Sequence, residues 1–213
     1  MIKLEEVTTE QLHSLSLEVK EGSACKIIPD SDGERKSLLD TISGLQKPAG
    51  GSVFLFGTEI YSISEKECIS FFKRIGVVRA SGGTISNIKV WENITLPVWY
   101  HLGKKPADVE GRVVEIFEQL GINISYLSDY MGKLPGPLPV QEKKIIALVR
   151  AMLMEPELMI YDSLFEGMSP EMTKKLTALT EKFHAEKPNR ASVYITINES
   201  SVRDVKADSV FRL

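Results

Sequence analysis

The chain has 213 residues, 43% of them apolar and 26% charged, a balance that supports a sizeable core in one domain of one or two lobes and excludes disorder and low complexity. With 26 Lys plus Arg against 29 Asp plus Glu the formal net charge is -3, so no basic surplus points to nucleic acid. No apolar run approaches the ~18 residues that cross a bilayer, and the charged stretch 1–9 lacks the apolar core of a signal peptide, so a cytoplasmic chain is expected.

Short apolar runs predict strands over 2–7, 15–20, 24–28, 52–55, 75–78, 158–161, 192–196 and 209–212. The early ones, with turns at Glu21-Gly22 and Gly50-Gly51, are expected to be antiparallel, because so short a connection cannot make a parallel crossover. The later strands follow helices and are expected to be parallel. Helical spacing predicts helices over 35–43, 65–74, 90–102, 107–120, 141–154, 170–184 and 200–205. In the fourth, Val109, Val113, Ile116, Phe117 and Leu120 share one face, and Gly121 supplies a C-terminal stop. The fifth is apolar nearly all round from Ile145 to Leu153, the pattern of a helix packed between other elements.

This alternation predicts an α/β protein. The stretch 80–140 is mostly helical and ends in the proline-rich run 133–139, which reads as a helical lobe inserted into a sheet lobe formed by 1–79 and 141–213. Cys25 and Cys68 have no CxxC spacing and no His cluster nearby, so two buried thiols are expected rather than a disulfide or a zinc site.

Between the strand at 24–28 and the next helix lies Pro29-Asp30-Ser31-Asp32-Gly33-Glu34-Arg35-Lys36-Ser37. Strand, loop and helix in this order are how P-loop proteins cradle phosphates, with glycines letting N–H groups converge and a Lys and a Ser or Thr serving phosphate and magnesium. Here a single glycine remains, and Asp30, Asp32 and Glu34 bring carboxylates that would repel a triphosphate. A charged surface turn capping a helix accounts for the same residues.

Further on, Gly44-Leu45, Pro48, Gly51-Ser52-Val53, Gly57, Ile60, Arg74 to Val78, Val90, Glu92-Asn93-Ile94, Ala147 to Met152, Pro156 to Asp162 and Gly167 to Pro170 resemble, in order and spacing, the ATP-binding subunits of ABC transporters. The resemblance covers essentially the whole chain and implies a P-loop NTPase-like ABC ATPase fold with a mixed sheet core, an antiparallel β edge and the inserted helical lobe. Gly82-Gly83, Ile85-Ser86-Asn87 and Thr95-Leu96-Pro97 look most like the Mla-type subgroup, which serves phospholipid transport. A turn before an amphipathic helix explains those residues equally.

Carried over position by position, the resemblance implies a damaged site. The family's phosphate-loop pattern GxxGxGKST puts Pro29, Asp32 and Glu34 on the glycines, Arg35 on the lysine, Lys36 on the serine and Ser37 on the threonine; slipped by one residue, Lys36 and Ser37 take the lysine and serine. The Q-loop glutamine falls on Ala80, the LSGGQ signature on 138–142, the catalytic glutamate on Ser163, the D-loop aspartate on Ser169 and the switch histidine on Ile197. Only the Walker B aspartate is kept, as Asp162, and it reads more as a hydrogen-bonding strand end than as a magnesium ligand.

Losing these groups together removes every route to efficient hydrolysis. The resemblance therefore implies a pseudo-ATPase: no catalytic residue, no metal site, no resident cofactor, and Arg35, Lys36, Ser37 and Asp162 as a vestigial nucleotide site. It also implies a membrane permease subunit as partner, with Trp91, Trp99 and Tyr100 of the helical lobe as candidate docking residues, or alternatively as core of that lobe. A homodimer, or a heterodimer with an active ATP-binding subunit, and a place on the cytoplasmic face of the inner membrane follow from the same likeness. Two alternatives stay open: a weak or unorthodox ATPase that uses ATP and Mg through Lys36, Ser37 and Asp162, and a soluble interaction protein on the same scaffold.

Overall fold

A computed structural model describes residues 1–123, 125 and 127–213. Two sheets organise it. The first is antiparallel, in the order β2-β1-β4-β5, and is built from β1 (Ile2–Thr8), β2 (Leu15–Val19), β4 (Gly50–Leu55) and the two-residue β5 (Thr58–Glu59). The second has the order β6-β7-β8-β3-β9, from β3 (Ala24–Ile28), β6 (Ile75–Val78), β7 (Leu158–Asp162), β8 (Ala191–Ile195) and β9 (Ser209–Arg212), and every one of its pairings is parallel.

The mixed arrangement corrects one expectation. The turn at Glu21-Gly22 does not close a hairpin: β3 leaves its neighbour β2 and enters the parallel sheet between β8 and β9. A short connection forbids a parallel crossover within one sheet, but it leaves the chain free to switch sheets. Gly50-Gly51 likewise opens β4 rather than forming a turn, with Gly51 at φ 81, where a Cβ would come 2.4 Å from the Glu5 carbonyl oxygen.

Period-two patterning places the parallel sheet between two cores. Leu158 and Ile160 of β7, with Val193 and Ile195 of β8, join the core shared with the antiparallel sheet. Met159, Tyr161 and Tyr194 point the other way, into the core shared with the helices, where the two tyrosine rings stack with centroids 4.7 Å apart.

The helices are α1 (Asp32–Ile42), α2 (Glu65–Phe72), α3 (Val90–Leu102), α4 (Glu110–Gln119), α5 (Leu127–Met131), α6 (Val140–Leu153) and α7 (Pro170–Ala185). The predicted helix over 200–205 is only a 3-10 turn at Glu199–Val202, too short and polar to build an apolar stripe. The predicted helix over 107–120 begins as a 3-10 turn, Pro106–Val109, before α4. Helix α6 is buried from Lys144 to Leu153 except at Arg150, much as expected, and its buried run begins with a charge, Lys144, discussed below. Among the described residues no helix is long and apolar enough to cross a membrane.

Both cysteines are free thiols. Cys25 is fully buried in β3, and that burial pushes its pKa up to about 11, whereas Cys68 is partly exposed. Because the thiolate is the reactive form, a native protein treated with iodoacetamide near pH ~8 should be alkylated at Cys68 with Cys25 spared. Peptide mass spectrometry reads the two rates; equal rates would contradict the packing of β3.

Candidate functional site

The site is assembled at the C-terminal ends of β3 and β7, where α1 begins. Helix α1 starts at Asp32, earlier than the predicted Arg35, because Ser31 caps it: Ser31 sits in extended backbone and its Oγ accepts from the Glu34 N–H at 3.1 Å. The Glu34 carboxylate in turn accepts from the Asp30 N–H at 2.8 Å. Asp32 and Glu34 lie in the first turn, where the helix dipole favours negative charge.

This local chemistry changes what the segment offers to an anion. A phosphate loop holds its backbone donors open toward the ligand. Here only Pro29, Asp30 and Ser31 separate β3 from α1; residues that would form the loop are wound into helix, and their donors at Asp30 and Glu34 already have side-chain acceptors. Gly33, the surviving glycine, lies under the Gln11 side chain, whose Oε1 would stand 2.5 Å from a Cβ there.

The four residues expected to share the site separate. Arg35 and Asp162 come together: the guanidinium forms an ion pair with Asp162 through Nη1, while Nε and Nη2 both reach Asp32 Oδ1 at 2.8 Å. Burial alone would pull the Arg35 pKa down, but Asp32 and Asp162 outweigh it and hold the guanidinium charged. The second Asp162 oxygen accepts from the Ala80 N–H at 2.9 Å. Both oxygens of a carboxylate side chain that is 3% exposed are thus engaged by the protein itself. Lys36 points to solvent, 70% exposed, and pairs with Asp40 at 3.3 Å. Ser37 is buried, its Oγ 2.8 Å from Thr9 Oγ1.

The remaining positions have structural partners as well. Ser163, buried at φ 48, donates its N–H to Ile195 O at 2.8 Å. Ser169 caps α7 through the Met172 N–H, and Pro139 caps α6, where Gln141 Nε2 donates to Gly167 O at 3.2 Å. Ile197 is 44% exposed.

Sequence reasoning missed Lys144. Its ammonium is buried inside α6 and donates to the carbonyls of Ser163 at 2.5 Å and Glu166 at 2.9 Å; burial lowers its pKa, against the pull of the Glu166 and Asp162 carboxylates. Glu166 is fixed from its other side by Thr196 Oγ1 at 2.6 Å. The signal in the sequence was weak: Lys144 is the last of three charges, Glu142 to Lys144, before the apolar run from Ile145. Together these bonds tie 163–166, the segment that follows Asp162, to α6 and to the residue after β8.

Magnesium with a triphosphate needs open N–H donors, a free hydroxyl and an available carboxylate oxygen. In this arrangement the Asp30 and Glu34 N–H groups, the Ser37 hydroxyl and both Asp162 oxygens are engaged within the protein, so the hydroxyl and the carboxylate, as placed, do not fit that group.

Beyond the site, the segment after β6 and helix α3 form a connected unit. Asn93 is buried; its Oδ1 accepts from the Ile85 N–H at 2.7 Å and its Nδ2 donates to the carbonyls of Ile85, Ile88 and Lys89. Arg150 Nη2 donates to Gly83 O at 2.9 Å. Of the three predicted docking residues, Trp99 and Tyr100 are 58% and 68% exposed, near the exposed Leu102. Trp91 is not with them: it is half-buried and packs on the helical core, so its ring serves the lobe. Pro97 and His101 of α3 line, with Ile69 and Phe72 of α2, a groove of about 290 Å³.

The fold is that of an ATP-binding cassette, and its α1 begins with a Ser31 cap three residues after β3. Residues 12–166 match the family described as ABC transporter, and the chain belongs to the ATP-binding domains of that family. Its relatives include the methionine import ATP-binding protein MetN 1 of Acinetobacter baylyi, 27% identical over 82% of this chain and 48% of that protein. MetN of Rhizobium meliloti is 29% identical over 82% of this chain and 47% of that protein, so the chain spans about half the length of these curated relatives. Among solved structures, the bacterial ABC transporter cassette MJ0796, solved as a dimer, superposes with a TM-score of 0.86 at 21% identity, covering 100% of this chain and 94% of that one. The cbiO1 cassette of Clostridium perfringens gives 0.77 at 21% identity, over 99% of this chain and 83% of that one. At such identities the likeness is one of fold.

Proposed function

We propose that this chain is a non-catalytic ABC subunit, a structural or regulatory half of a membrane transport complex. The observation that carries the reading is the double engagement of Asp162, by the Arg35 guanidinium and by the Ala80 N–H, at the place where a nucleotide's magnesium would be held. An ion pair inside the protein supplies the charge balance that a bound cation supplies in an ATPase. Loss of the glutamate, glutamine and histidine positions to Ser163, Ala80 and Ile197 leaves no group to activate water.

In this reading the chain docks on a membrane permease subunit through Trp99 and Tyr100 at the cytoplasmic face of the inner membrane, beside a second copy or an active ATP-binding subunit. The relatives' names speak of methionine import; of 82–87 and 95–97, on which the likeness to lipid-transport subunits rests, Gly83 and Ile85 are bonded to Arg150 and Asn93.

Isothermal titration of the purified protein with ATP and magnesium tests the proposal. The expected result is no saturable heat up to roughly millimolar ATP, the scale of ~4 kcal/mol of binding free energy. Saturable binding that disappears in Lys36→Ala, Ser37→Ala protein would overturn it in favour of the unorthodox ATPase.

A further inference from the structure

The bonds at the former nucleotide site do more than fill it, because each one ties a different element. Arg35 comes from α1, Asp162 from the end of β7, and Ala80 from the segment leaving β6 for the helical lobe. A second tie runs in parallel: Arg79 Nη2 reaches Asp40 Oδ1 of α1 at 3.2 Å. Two adjacent residues, 79 and 80, are thereby held to both α1 and β7. The next residues are held to the helical lobe through Asn93 of α3 at Ile85 and Ile88, while Arg150 of α6 adds a further tie from the sheet lobe at Gly83. No step in this chain of contacts needs a ligand.

We propose that the Arg35–Asp162–Ala80 linkage, seconded by Asp40–Arg79, is a clasp that sets the orientation of the helical lobe on the sheet lobe in place of nucleotide. The exposed Trp99 and Tyr100 are then presented in one fixed geometry whatever the nucleotide level. This rests on the non-catalytic reading above and adds to it: the subunit contributes a constant docking face to the transport cycle, not a moving one. A ligand moves such an equilibrium only through differential affinity for its states, and here the carboxylate that a bound cation would need is already engaged in the clasp. Asp162 acts as a positioning residue, through the backbone of Ala80.

The test measures lobe geometry directly. Spin labels at the exposed Glu10 and Lys104, in a Cys68→Ser background, report the distance between lobes, and hydrogen exchange reports the Ala80 amide. The wild-type chain should give one narrow distance distribution that ATP and magnesium leave unchanged. Asp162→Ala should broaden it and speed exchange at Ala80 by roughly 10- to 100-fold, the range expected for losing a hydrogen bond to a charged acceptor. Arg35→Gln, which keeps polar contact and loses charge, should lie between and serves if Asp162→Ala does not fold.

A variant with the wild-type distribution and unchanged Ala80 exchange would overturn the clasp while leaving the non-catalytic reading intact. A wild-type distribution that shifts with nucleotide, accompanied by heat in the titration, would overturn both.

Discussion

Arg35→Met should cost about 3–5 kcal/mol of folding stability, the range for removing one partner of a buried ion pair. Against a total of ~5–15 kcal/mol for a typical domain, the loss is large. The reason is what remains rather than what is removed: Asp162, 3% exposed in its side chain, would keep a single donor, Ala80 N–H, for two carboxylate oxygens. Asp32, by contrast, is 71% exposed and returns to water at little cost.

If that account holds, adding Asp162→Asn to Arg35→Met should recover part of the loss by removing the stranded charge, with a coupling of about 1–3 kcal/mol in a double-mutant cycle. Guanidinium chloride unfolding of the four proteins gives the numbers. A cost below ~1 kcal/mol for Arg35→Met would mean that water enters and solvates Asp162, and the charge-balance argument for the site would fail with it.

Trp99→Asp should abolish recovery of the chain with the proposed permease partner while changing its own stability by less than ~0.5 kcal/mol, as for a typical surface position. Trp99 is 58% exposed, so a carboxylate there meets water in the free chain and an apolar partner in the complex. Truncating a central aromatic contact costs about 2 kcal/mol or more, and a buried charge adds to it, so weakening well beyond ~30-fold is expected. Trp91→Asp supplies the contrast. That ring packs on the helical core, so its substitution should lower stability first and membrane recovery only as a consequence. Unchanged co-purification of Trp99→Asp from membranes would remove α3 as the docking helix.

Much of this was written in local chemistry. The strand runs, the all-apolar face pattern of α6 and the stripe of α4 read directly, because periodicities of 2 and 3.6 are properties of consecutive residues. So did the residue types at the positions the resemblance assigns to the phosphate-loop glycines and to the glutamate, glutamine and histidine, since each is a residue at a place in a pattern. The early start of α1 was also legible: Ser31 with Glu34 three residues on is a capping signature.

What the sequence left open were partners. Arg35 and Asp162 are 127 positions apart, and nothing within either neighbourhood selects the other; only the parallel pairing of β3 and β7 on either side of β8 carries both to one end of the sheet. The same closure decided that Lys144 would find the Ser163 and Glu166 carbonyls, that β3 would cross into the second sheet, and that Trp91 would turn inward while Trp99 stayed in water. A residue's chemistry is fixed by its own atoms and its secondary structure largely by its neighbours. Whether a charge is buried, and against what, depends on which distant elements pack over it, and that is settled only when the whole sheet forms.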